Sequence, residues 1–151
     1  MKLLKLLFAI IICQLAGFIG SLFTTPSIPT WYATLQKPII TPPNWIFAPV
    51  WTFLFLLMGI SLYLILEKKI KRALTYFSKQ LILNILWSVI FFGLHKLLLA
   101  FIEIIILWIF IFLTIMSSYK KSKPAAFLLI PYLLWVSFAS VLNLFFYIIN
   151  V

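Results

Sequence analysis

"LILNILWSVIFFGLHKLLLAFIEIIILWIFIFLTIM", residues 81–116, is almost unbroken apolar sequence, and its reading decides the fold. As a single helix it would run to about 54 Å at 1.5 Å per residue. A bilayer core is only about 30 Å thick and takes about 20 apolar residues to cross. The chain must therefore turn within the stretch, and "GLHK", Gly93 to Lys96, is the place for it. Glycine can end a helix, and histidine and lysine prefer the water interface. Two membrane-spanning helices joined by a tight hairpin follow, at about 78–94 and 97–116.

Three further runs flank this pair, at about 4–23, 45–66 and 124–149. The expected fold is all-α: an integral membrane bundle of five transmembrane helices forming one domain over residues 1–151. Composition agrees, because a chain that is 66% hydrophobic and 9% charged carries more apolar surface than a soluble core of this size could hide. The opening "MKLLKLLFAIIICQLAGFIG" has the basic start and apolar run of a signal peptide, but no A-x-A site follows. Ile12 before Cys13 is also too large for lipoprotein cleavage, so an uncleaved first span is expected. Cys13 is the single cysteine, which excludes an intramolecular disulfide and a thiolate metal cluster. Neither a metal nor a cofactor is expected, and no nucleophile with its base or phosphate-binding loop is visible.

The net charge of +10 comes from basic residues laid between the apolar runs. That pattern points to membrane lipid headgroups and away from nucleic acid. With five spans, Lys2, Lys5, Lys68, Lys69, Lys71, Arg72, Lys79, Lys120, Lys121 and Lys123 fall on one side, and Lys37 and Lys96 on the other. The positive-inside rule then puts the N-terminus in the cytoplasm and the C-terminus outside, in a cell membrane.

Between the first two spans, residues 24–44 carry prolines at 26, 29, 38, 42 and 43. These fix φ and remove donors, so an extended, stiff lid loop is expected. Pro49 should fall in the unpaired first turn of the second span, and Trp31, Tyr32 and Trp45 should anchor the interface. Asn84 and Asn143 are costly in lipid and should face the bundle interior. Helical spacing from them brings Trp87, Ser88 and Phe91 inward on the third span, and Tyr132, Trp135, Val136 and Ala139 inward on the fifth. The second span adds Phe47, Trp51, Phe55 and Met58 along one stripe. Spacing alone leaves two readings open, a pocket or plain core packing. Glu103 is the one acid within a span and should either be protonated or face polar partners, in the pocket or on a neighbouring helix. His95 reads as an interfacial turn residue or an axial haem ligand, and Pro131 should kink the fifth span.

"WYATLQKPIITPPNWIFAPVWTFLFLLMG" (31–59), "LILNILWSVIFFG" (81–93) and "LLIPYLLWVSFASVLN" (128–143) resemble the translocator protein family, also known as TspO, the tryptophan-rich sensory proteins and the peripheral benzodiazepine receptor. The blocks stand in that family's order and cover most of the chain, and the bare tail suits a bacterial-type member. The resemblance implies a pocket between the helices, closed by the first loop, that takes protoporphyrin IX, haem-like tetrapyrroles and other flat lipophiles. It implies pocket positions at Tyr32, Pro42, Trp51, Phe55, Asn84, Phe91, Trp135 and Ala139, to which the aromatic stripes add Phe47 and Trp87. The expected function is a porphyrin receptor or sensor that also transports its ligand. The alternative is an enzyme degrading porphyrin with light and oxygen, in which Trp51 and Phe91 are the catalytic aromatics. A homodimer is implied as well. Lys37 is a candidate partner for porphyrin propionates. A sterol motif would use Val141 or Leu142 with Tyr147, but "FYIINV" supplies no basic residue after it, so cholesterol is not an expected ligand.

Overall fold

The computed structural model describes residues 1–151. Five apolar helical spans cross back and forth, with no strands, so the chain is a multi-pass membrane protein with the expected architecture. The first span is α1 (Lys2–Ser27) continued by a π-helical turn, Ile28–Tyr32. Helix α2 covers Asn44–Glu67, and the third span is α3 (Lys71–Ser88) continued by a second π-helical turn, Val89–Gly93. Helix α4 covers Leu97–Tyr119, and the fifth span is broken into α5 (Lys123–Leu128) and α6 (Ile130–Ile149). Around the ring α2 packs on α1, α1 on α3, α3 on α4, and α4 on α5 and α6, while α5 closes back onto α2.

The first loop is shorter than its prolines suggest. The helix runs on through Pro26 and Pro29, and only residues 35–43 are non-helical. Backbone groups at membrane depth must be satisfied within the segment, which favours helix over an extended strand. The wider π turn re-pairs donors around the prolines, as at other helix irregularities. Threonine hydroxyls also pair with carbonyls: Thr24 Oγ1 donates to Gly20 O, Thr30 Oγ1 to Pro26 O and Thr34 Oγ1 to Trp31 O. Pro49 is also deeper than expected. Because α2 starts at Asn44, the donor missing at Pro49 belongs to the second turn.

The hairpin between the third and fourth spans lies at "GLHK", but its left-handed residue is His95 (φ 58°) rather than Gly93. Lys96 N donates to Ile90 O across the turn. Gly93 is small for another reason: a Cβ there would stand 3.0 Å from the Phe23 ring of α1. Pro131 starts α6 after the break at Leu129, so the fifth span bends one turn before Trp135, nearer its start than its middle.

At the lysine-rich end Lys5 Nζ meets Glu67 Oε1 at 3.1 Å and ties α1 to α2. The opposite end is held by Asn150, whose Oδ1 accepts from Gln36 N and whose Nδ2 donates to Gln36 O, both at 2.9 Å. The two central asparagines point inward as expected. Asn84 Nδ2 donates to Tyr132 Oη at 2.7 Å, and Tyr132 Oη donates to Gln80 Oε1 at 2.8 Å. Asn143 accepts from Trp87 Nε1 and donates to Leu97 O, both at 3.0 Å, pinning α6 to α3 and to the start of α4. The structure shows no polar partner for Glu103: it is buried, outside the cavity described below, and neither oxygen has a hydrogen-bond partner.

Candidate functional site

The ring of helices encloses a cavity of about 410 Å³, within the range of about 300–1,000 Å³ usual for small-molecule sites. Each wall follows from a local rule. Helix α2 contributes Phe47, Trp51 and Phe55 at four-residue steps, which stack on one helix face. Helix α3 and its π turn contribute Asn84, Trp87, Ser88 and Phe91, and α6 contributes Trp135, Phe138, Ala139, Leu142 and Asn143. Phe91 and Phe92 of the π turn both line it.

Aromatic rings therefore pack against one another along the walls. Trp87 and Phe91 stack with centroids 4.9 Å apart, and Trp51 lies 5.6 Å from Phe55. Trp135 meets Phe47 edge-on at 6.3 Å, and Trp51 meets Tyr132 edge-on at 6.3 Å. The top is shut by the two π turns, where Trp31 packs edge-on against Phe91 at 5.6 Å and lies flat on His95 at 4.2 Å. His95 is thus part of the closure and does not line the cavity.

Of the ten binding residues read from the sequence, nine line the cavity: Tyr32, Phe47, Trp51, Phe55, Asn84, Trp87, Phe91, Trp135 and Ala139. Pro42 does not. It lies in the non-helical link ahead of α2, next to the residue that caps that helix. Met58, on the same stripe as Trp51, is fully buried in the core below. Lys37 also stays outside; its Nζ donates to Tyr32 O at 3.2 Å and stands 4.8 Å over the Tyr32 ring.

Sequence reasoning missed the wall formed by α1. Gln14, Gly17, Gly20, Ser21 and Thr24 line the cavity, and their three- and four-residue spacing of small and polar types was the available signal. A Cβ on Gly17 would come within 2.7 Å of the Phe55 ring, so the glycine makes room for that wall. Gln14 Nε2 donates to Thr52 O of α2 at 3.1 Å. Beyond that bond Phe18, Thr25, Asn44 and Ala48 line the cavity while remaining exposed. The cavity thus opens sideways between the outer halves of α1 and α2, toward lipid.

The lining contains no Asp, Glu, Lys, Arg or His. Its polar groups are amides, hydroxyls and indole N–H groups, and one of them, Tyr32 Oη, is buried without a partner. Such a site can hold a flat, largely uncharged lipophile by its faces and offer it one or two hydrogen bonds.

Known proteins agree on what kind of molecule this is. The TspO/MBR family profile matches residues 9–148. The tryptophan-rich protein TspO of Archaeoglobus fulgidus is 47% identical over 99% of both chains, and that of Chlorobaculum tepidum is 44% identical over 94% of this chain and 93% of its own. The translocator protein of Bos taurus is 38% identical over 86% of this chain and 80% of its own. With the profile running from within α1 to the end of α6 and every wall of the cavity inside it, the chain belongs to the TspO/MBR family.

Proposed function

We propose that this protein is a receptor or sensor for porphyrins and similar flat lipophiles, bound between the helices and exchanged with the membrane through the gap between α1 and α2. The observation that carries the reading is the uncharged cavity with Trp51 and Phe55 on one wall, Trp87 and Phe91 on a second and Trp135 on a third. A macrocycle gains about 0.5–1.5 kcal/mol per aromatic contact beyond burial, so several such faces favour it over a flexible lipid chain. Since no cation lines the space, the two carboxylates of a porphyrin belong at the open side, in water or among headgroups. The proposal places the lysine-rich end in the cytoplasm. It also has the molecule work as a homodimer of 17.6 kDa chains, which a detergent-corrected mass checks.

A second reading, light- and oxygen-dependent breakdown of the bound porphyrin, is favoured by one feature: the oxidisable indole of Trp51 stands in the cavity wall. Absorption spectra of purified protein titrated with protoporphyrin IX, in the dark and under illumination, test both readings. Saturable shifted bands that survive light support the receptor; saturable bands replaced by a product band support the enzyme. A titration with no saturation beyond that of empty micelles removes both.

A further inference from the structure

A second concavity, an open groove of about 740 Å³, lies at the lysine-rich end where the loop between α2 and α3 meets the end of α4. Lys69, Lys71 and Arg72 line it from one side and Lys120 and Lys121 from the other. The two sets are about fifty positions apart in the chain and converge only through the fold. The positive-inside rule accounts for basic residues on this face; it does not account for five of them around one groove. No acid joins them. The chain has two acidic residues: Glu67 is paired with Lys5, and Glu103 lies buried elsewhere. None of the five cations is in an ion pair, since Lys5–Glu67 is the only one.

The backbone adds to this field. Lys71 and Arg72 occupy the first turn of α3, which has no acidic residue, so they stand against the positive end of a helix dipole, where an anion is favoured and cations are not. Lys69 holds a left-handed φ of 51°, a conformation that glycine adopts far more readily. Here it ends α2, with Ile70 N donating to Ile65 O across the turn. Away from the charges, the groove continues onto Tyr76, Leu113 and Met116, an apolar flank on α3 and α4. Met116 is exposed on the membrane-spanning surface.

We propose that this groove binds an anionic glycerophospholipid, its phosphate between the two basic arms and an acyl chain along Leu113 and Met116. Basic pockets between spans at this level suit acidic headgroups, and the apolar flank selects an amphiphile over a free anion. The site is separate from the aromatic cavity and stands whether or not that cavity takes porphyrin.

Native mass spectrometry of the purified full chain, delipidated and then titrated with palmitoyl-oleoyl phosphatidylglycerol or with the phosphatidylcholine of the same chains, provides the test. Phosphatidylglycerol should give a saturable one-lipid adduct, and phosphatidylcholine should not compete for it. Arg72→Gln and Lys120→Gln should each weaken the adduct about five-fold, and Lys71→Gln/Arg72→Gln/Lys120→Gln/Lys121→Gln should abolish it. The control Lys2→Gln/Lys79→Gln/Lys96→Gln/Lys123→Gln removes as many charges outside the groove and should bind as wild type. Equal retention of both lipids overturns the proposal, and so does equal loss in the groove and control variants. Displacement by inorganic phosphate or glycerol phosphate at the lipid's own concentration overturns the choice of a lipid. The single substitutions decide the matter if the fourfold variant does not fold.

Discussion

Trp51 sits between two roles that a single substitution separates. It lines the cavity beside Phe55 and edge-on to Tyr132, so Trp51→Phe keeps an apolar ring in the wall and removes the readily oxidised indole. The expected outcome is porphyrin binding within about ten-fold of wild type, a loss of no more than about 1.4 kcal/mol, with any light-driven loss of pigment abolished. Trp45→Phe is the control, since Trp45 is 74% exposed and outside the cavity. If all three proteins bleach bound pigment at one rate, Trp51 is only a packing residue. At this scale the sequence was legible wherever polarity was expensive. Asn84 and Asn143 had to turn inward, and they brought the correct faces of α3 and α6 with them. Glu103 obeyed the same cost and turned inward too, but what it would meet depended on partners that only the assembled bundle reveals. The α1 wall was harder to read, because Gly17, Gly20 and Ser21 declare themselves by smallness rather than by chemistry.

Elements were legible in number and order, and less so where prolines met the membrane. Five spans and the hairpin at residues 93–96 follow from length and hydropathy alone. The prolines at 26 and 29 signalled a loop, and the helix passes through them because unpaired backbone in lipid costs more than a π turn. Contact between elements turns on Gly59. A Cβ there would lie 2.6 Å from Ile10 Cα and 3.1 Å from Ile10 N, both backbone atoms that cannot swing aside. Gly59→Ala should therefore push α1 from α2 and destabilise the protein by about 1–3 kcal/mol, the usual cost of overpacking. Gly17→Ala makes a useful contrast. The nearest atoms to its new methyl would be those of the Phe55 ring, which can rotate into the cavity, so stability should fall less while porphyrin affinity drops. Thermal unfolding in detergent and dark titration of both variants check the pair. Equal stability losses would mean that the two glycines serve the same contact and that Phe55 is not displaced.

For the whole molecule, the proposed orientation rests on the arrangement of charge. Ten of the twelve basic residues fall at the end that holds the N-terminus, so a reporter fused after Val151 should be active only outside the cytoplasm. Cytoplasmic activity would reverse the proposed orientation while leaving the fold as it is. If the proposed ligand enters between α1 and α2, the close contact at Gly59 gives that entry a pivot. Helices α1 and α2 approach most closely at Ile10 and Gly59, and from Gly59 to Asn44 is a lever arm of about 22 Å at 1.5 Å per residue. Tilting one helix by about ten degrees about that pivot would widen the gap at the far lip by about 4 Å, close to the thickness of one aromatic plane at its contact distance of about 3.5–4.0 Å. Thr52 lies about 10 Å up the arm, where the same tilt lengthens the separation by about 2 Å. That is enough to part Gln14 Nε2 from Thr52 O, now 3.1 Å apart. Under the proposed function that one hydrogen bond would be the latch on a door that swings without unwinding either helix, admitting a flat molecule edge first.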